Sequence, residues 1–234
     1  MTGFWTTKLR LPRRRFVWRT VMELMELITA SIAVVFTDAT TKSIVLGGVI
    51  ALAGAGIFTW AGGFQRMERE GVLTLNGPYR FVRHPWILAR FLMVFGVILM
   101  ARLPWLFLFA MVGLAPMYRR MTREEDQWLY SQLGPTAAEY KAFVSGFIPQ
   151  FMPGKLPASG KNSSGDRFSW NRAIWKRPGR GWLAFLGVGG AIAGMWLWSE
   201  HVAQLWVWRG VAALAASAGI FWLTRDRGVR MSSH

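Results

Sequence analysis

The strongest constraint on this chain is its succession of long apolar runs separated by basic segments. Apolar residues make up 53% of the sequence and tryptophan occurs 14 times. Several runs approach the ~20 residues needed to cross a bilayer. Six spans are expected, at Val17–Phe36, Ile44–Gly63, Pro85–Met100, Leu103–Tyr118, Trp182–Trp198 and Leu205–Leu223. The expected fold class is therefore an all-α membrane protein with about six transmembrane helices. The third and fourth spans are short and are joined by Arg102-Leu103-Pro104, which predicts a tilted helical hairpin. The N-terminus does not read as a cleavable signal peptide, because its basic region leads into a run too long for an h-region.

A net charge of +16 invites a nucleic-acid reading, but the distribution of the charge argues against it. The basic residues cluster in Lys8–Arg19, Arg66–Arg83, Arg119–Arg180 and Arg225–Arg230. With six spans these segments share one side, and the other side keeps only Lys42 and Arg102. That is the positive-inside pattern, which predicts cytoplasmic termini in a bacterial inner membrane. The surplus suits anionic lipid headgroups as partners.

The absence of cysteine excludes disulfides, thiol nucleophiles and thiolate metal sites. His84, His201 and His234 have no metal-ligand spacing, so no metal site is expected. No serine sits in a nucleophile-elbow setting and no phosphate loop is present. Chemistry, if any, is expected from a cofactor.

Three parts are expected along the chain. Residues 1–152 form a four-span core. Residues 153–181 form a basic linker rich in Pro, Gly and Ser, with Trp170 and Trp175 beside cations suited to the headgroup level. Residues 182–234 form a two-span helical hairpin. Its Gly190 and Gly194 fit small-residue helix packing, in which generic packing is favoured over a specific homodimer contact.

Two polar blocks interrupt the core. The first, Gly77–Pro85, reads GPYRFVRHP and ends at a proline able to open a helix. Two arginines, a tyrosine and a histidine in nine residues exceed what anchoring a span requires. The second block holds Glu124, Glu125 and Asp126. Thr122 reads as a helix cap with Glu125 at the capping-box position, and acidic residues near a helix start also suit its dipole. Leu133-Gly134-Pro135 ends that helix, and a short helix at about Ala137–Val144 follows.

These two blocks, in this order, resemble the integral-membrane methyltransferases, a family that includes isoprenylcysteine carboxyl methyltransferase and phosphatidylethanolamine N-methyltransferase. Leu73, Gly77, Pro78, Tyr79, Arg80, Arg83, His84 and Pro85 match the first block of the family pattern. Glu124, Glu125, Leu129, Gly134, Tyr140 and Pro149 match the second. The resemblance covers about a third of the chain. The family's tyrosine and glycine after the His-Pro pair are replaced by Ile87 and Ala89, Leu133 stands for a phenylalanine, and Ala137 stands for a further tyrosine. The resemblance implies S-adenosylmethionine as methyl donor, a cofactor site at the cytoplasmic face, and a lipid or other membrane-borne acceptor. It implies cofactor contacts from Tyr79, Arg80, Arg83, His84, Pro85, Glu124, Glu125 and Tyr140, with His84 and Glu125 nearest the chemistry.

The residues agree with that implication. The donor carries a carboxylate and an ammonium, and the two blocks offer cationic and acidic walls. Methyl transfer demands in-line alignment at about 3 Å in a dry pocket. A carboxylate acceptor needs no base, whereas an amine must first lose a proton, so the acceptor atom stays open. Two other readings compete. One is a sterol-reductase-like enzyme using NADPH, with Arg80, Arg83, Arg119 and Arg120 as its basic pocket. The other is a non-catalytic membrane adaptor. Arg90, about one and a half turns into the third span, is either paired with Glu23 or Glu26 or holds an anionic substrate headgroup, with Glu26 beside it.

Overall fold

The computed structural model describes residues 13–64, 75–153, 168–174 and 181–200. Among the described residues the chain is helical throughout, with no strand. The main helices are α1 (Arg13–Val35), α2 (Thr41–Phe64) and α3 (Pro85–Ala101), followed by α4 (Pro104–Phe109), α5 (Ala115–Leu133), α6 (Pro135–Phe143), α7 (Trp170–Ile174) and α8 (Gly181–Glu200). The expected first, second, third and fifth spans coincide with α1, α2, α3 and α8. The expected sixth span and Leu73 lie outside the described residues, as do most of the linker and two of the three histidines.

Helix α2 is long and apolar enough to cross a membrane, whereas α3 and residues 186–196 of α8 are apolar but shorter. Its packing is the inverse of a water-soluble helix. Small residues Gly47, Ala51 and Gly54 face inward, while Val45, Leu46 and Val49 stand exposed. An exposed face of large aliphatic side chains is costly in water and natural in hydrocarbon. The inward stripe lets the α2 and α3 backbones meet. A Cβ at Gly96 would lie 2.5 Å from the Gly47 carbonyl oxygen, and one at Gly54 would lie 2.8 Å from that of Ala89. Here Ala89, one of the departures from the family pattern, is fully buried at the α2 contact. Helix α2 opens on a reciprocal cap, with Thr40 N donating to Ser43 Oγ at 2.9 Å and Ser43 N donating to Thr40 Oγ1 at 3.3 Å.

The tight connection expected at Arg102 is present. Arg102 adopts the left-handed conformation (φ 55°), which stops α3, and Pro104 restarts the chain as α4. The fourth span, however, does not end before the second polar block. Helices α4 and α5 are joined without a break by a π turn, Ala110–Leu114, in which Ala115 N donates to the Ala110 carbonyl. The cause sits two residues on: Pro116 brings no N–H and crowds the carbonyl four residues back, and widening the preceding turn relieves that crowding. The expected helix start at Thr122 is therefore corrected. Thr122 lies mid-helix, its hydroxyl donating to the Tyr118 carbonyl at 3.0 Å. Helix α5 carries the second polar block as a direct continuation of α4 through the π turn.

The linker expectation is also refined. Residues 168–174 dock on the end of α2, where Ser169 N donates to the Gly63 carbonyl at 3.1 Å and Arg172 Nε donates to the same oxygen at 3.2 Å. Helix α8 packs on α2 through Val188 and Ile192. Among the described residues, a Cβ at Gly190 or Gly194 would meet nothing within 4 Å.

Candidate active site

Residues 77–85 fold as a compact loop ahead of α3. Gly77 opens it with φ 62°, in the left-handed region, and the Phe64 ring lies where a side chain would go. Gly77–Arg80 makes one 3₁₀ turn, Phe81 N and Val82 N both return to the Pro78 carbonyl, and Pro85 occupies the first position of α3.

The segment after α6 runs back along this loop. Arg83 N donates to Ser145 O at 2.7 Å, His84 N donates to Gly146 O at 3.3 Å, and Gln150 N donates to Phe81 O at 2.9 Å. The return requires the sharp corner at Gly134, whose φ 53° and ψ −127° suit only glycine. The two polar blocks, more than forty residues apart in sequence, thus share one junction.

At its centre is Asp126. Arg83 Nε donates to Asp126 Oδ1 at 2.8 Å and Arg83 Nη2 donates to Oδ2 at 2.9 Å, a bidentate pair. His84 Nε2 lies 2.7 Å from the same Oδ1. Arg83 Nη1 also donates to the carbonyls of Val144 (2.7 Å) and Lys141 (3.1 Å), which ties α6 to the loop. Arg83 and His84 are each buried. Burial alone would raise the Asp126 carboxyl, but hydrogen bonds from His84 and Arg83 outweigh it and hold the pKa down to about 2. Lys141 Nζ adds a weaker, exposed contact at 3.6 Å.

The tyrosines brace the loop. Tyr140 is buried and its hydroxyl donates to the Tyr79 carbonyl at 2.6 Å; burial raises its pKa. Trp86 Nε1 donates to the Tyr79 hydroxyl at 2.6 Å, and its ring stands edge-on to Phe58 of α2 at 4.5 Å. Arg80 differs from its neighbours. Its Nε is buried with no hydrogen-bond partner among the described residues, a costly state for a guanidinium nitrogen.

Of the expected site residues, Tyr79, Arg83, His84, Pro85 and Tyr140 come together at this junction. Glu124 turns away and accepts from Arg120 Nε at 3.2 Å in a partly exposed pair. Glu125 is partly buried on α5 beside Asp126. Sequence reasoning read Asp126 only as a helix-start acid, although a signal for it existed. Tyr118, Thr122, Asp126, Leu129 and Leu133 recur at spacings of four, four, three and four, which puts them on one helix face. Thr122 packs beside Gly146, and Leu129 and Leu133 pack on Tyr140 and Val144, so that face looks onto the loop and α6.

Arg90 and Glu26 form a second cluster. Arg90 Nε donates to Glu26 Oε2 at 3.0 Å, its Nη2 also reaches that oxygen, and its Nη1 donates to Glu23 Oε1 at 3.3 Å. Tyr118 donates to Glu26 Oε1 at 2.6 Å, a partner the sequence did not reveal. The paired reading of Arg90 is the one the geometry displays, linking α1, α3 and α5. Ile87, the other departure in the first block, is buried in the apolar core beside these helices.

No group of three or more His, Cys, Asp or Glu side chains suited to a metal ion occurs among the described residues. Comparison with curated proteins and with solved structures finds no match. A family model does match: residues 42–136, from α2 to the start of α6, match the phospholipid methyltransferase family. Over that segment, about two-fifths of the chain, the protein is similar to the phospholipid methyltransferases.

Proposed function

We propose that the chain transfers a methyl group from S-adenosylmethionine to a lipid acceptor, in a site at the start of α3. The observation that carries this reading is the Arg83–His84–Asp126 junction, built from both polar blocks within and just beside the matched family segment. The donor's carboxylate fits the orphaned Arg80 Nε, which needs an acceptor. Glu125 supplies the acidic partner for its ammonium. When bound, the donor supplies an electrophilic methyl on a cationic sulfur.

Arg83, Tyr140 and Asp126 hold the loop in shape and so fix Arg80 and His84. With Nε2–H donating to Asp126, His84 keeps Nδ1 as the basic nitrogen, and Asp126 orients the ring. A carboxylate acceptor uses His84 for positioning alone, while an amine acceptor gives its proton to Nδ1. Glu124, already engaged by Arg120, serves the surface of α5. Six spans, with cytoplasmic termini and the basic segments facing anionic headgroups, complete the reading.

The test is transfer of tritiated methyl from S-adenosylmethionine into the lipid extract of membranes carrying the chain. Label is expected with the wild type and strongly reduced with His84→Ala. Equal label in both, or none above membranes lacking the chain across carboxylate- and amine-bearing lipids, would remove the proposal.

A further inference from the structure

The segment Val144–Pro153 reads VSGFIPQFMP and contains no charged residue. It lies beyond the family match, which ends at residue 136. Its backbone is pinned at two levels. Phe147 packs edge-on against Phe91 with ring centroids 5.3 Å apart, and Phe91 lies six residues, or about 9 Å along the axis, past the first residue of α3. Gln150 N then donates to Phe81 O at 2.9 Å, back in the loop ahead of α3. The segment therefore climbs beside the first turns of α3 and emerges at its base.

What it presents outward is apolar. Ile148 is 73% exposed, Met152 81%, and the Phe151 side chain is fully exposed at 103%. Three such side chains within five residues, directly after or between the anchors at Ser145, Gly146, Phe147 and Gln150, form an apolar ledge rather than a stray hydrophobic residue. Pro149 and Pro153 remove two backbone donors that would otherwise need water. We propose that this ledge is a membrane-inserted lip: Ile148, Phe151 and Met152 sit among the acyl chains of the leaflet at the base of α3. The inference rests on the reading that α3 enters the bilayer near Pro85. The lipid occupant follows from depth, since Phe147 is already inside the span level, and from the missing charge, which a headgroup-facing or water-facing loop would carry. The same segment holds Arg83 and His84 through Ser145 and Gly146, so the lip borders the proposed site and gives a lipid acceptor a hydrocarbon path to it.

The absence of native cysteine makes single-cysteine labelling clean. Full-length Phe151→Cys and Met152→Cys are each spin-labelled and reconstituted in vesicles of phosphatidylcholine and phosphatidylglycerol. Collision rates with oxygen and with a water-soluble nickel chelate are compared with those of Gln127→Cys, an exposed position on α5. The logarithm of the oxygen-to-nickel ratio is expected to be positive at 151 and 152 and negative at 127. A negative value at both lip positions overturns the proposal in favour of water. A strongly immobilised spectrum with little access to either reagent overturns it in favour of a protein cover. Depth is read without turnover, so a failure here leaves methyl transfer standing, and a failure of methyl transfer leaves the lip standing.

Discussion

Arg83 grips Asp126 with two parallel bonds of 2.8 and 2.9 Å, across forty-three positions of sequence. That one pair joins the loop ahead of α3 to the outward extension of α5, and the remaining Arg83 nitrogen extends the clamp to α6. Removing one side leaves the other charge buried. Asp126→Asn is expected to cost about 3 kcal/mol or more of stability. Glu124→Gln, in an exposed i,i+4 pair, is expected to change it by about 0.5 kcal/mol or less. Thermal unfolding in detergent checks both, and equal shifts would show that Asp126 is not the anchor.

The same clamp sets an acid limit. The Asp126 carboxyl titrates at about 2 in the folded protein against an ordinary 3.8. A depressed folded-state pKa contributes stability that is fully present above the unfolded value and is lost as pH falls through the folded one. The difference in melting temperature between wild type and Asp126→Asn is therefore expected to be constant near neutrality and to shrink between about pH 4 and about pH 2. A constant difference down to pH 2 would count against the ion pair.

Arg90 yields a contrast between structure and chemistry. Its contacts to Glu23 and Glu26, and that of Tyr118 to Glu26, join three helices. Arg90→Leu strands two carboxylates and is expected to cost roughly 3–5 kcal/mol of stability. The acceptor's Michaelis constant is expected to stay unchanged in the surviving folded fraction. A raised Michaelis constant with wild-type thermal stability would instead assign Arg90 to the substrate.

At the α2–α3 contact, Gly96→Ala forces a methyl against the Gly47 carbonyl and the Ala51 amide. Overpacking of this kind costs typically about 1–3 kcal/mol. Gly190→Ala, where a Cβ meets nothing among the described residues, is expected to be neutral or to stabilise by up to about 1 kcal/mol through helix propensity. Reversal of that order in thermal shift would contradict the observed packing.

The sequence made much of this architecture legible where periodicity and turn chemistry are local. The apolar runs marked α1, α2, α3 and α8, Arg102-Leu103-Pro104 marked a reversal, and Leu133-Gly134-Pro135 marked the corner between α5 and α6. Thr122 misled because its cap-like spacing to Glu125 looks the same in mid-helix, and only the π turn ahead of Pro116 shows that the helix has already begun. Asp126 was overshadowed by Glu124 and Glu125 for a related reason. Which of three consecutive acids faces inward depends on helix phase, and Asp126 falls on the Tyr118–Thr122–Leu129–Leu133 face only when the helix already runs through Tyr118. The Tyr140 bond to the Tyr79 carbonyl and the Tyr118 bond to Glu26 are long-range contacts, which no spacing encodes.

Calorimetric titration of the purified full-length chain asks whether the junction around Arg80, His84 and Asp126 holds S-adenosylmethionine. Saturable binding of S-adenosylmethionine is expected, weakened by His84→Ala and by Glu125→Gln by about 1.5–3 kcal/mol each, with no binding of NADPH. Saturable NADPH binding without S-adenosylmethionine binding, or wild-type donor affinity in both variants, would contradict it.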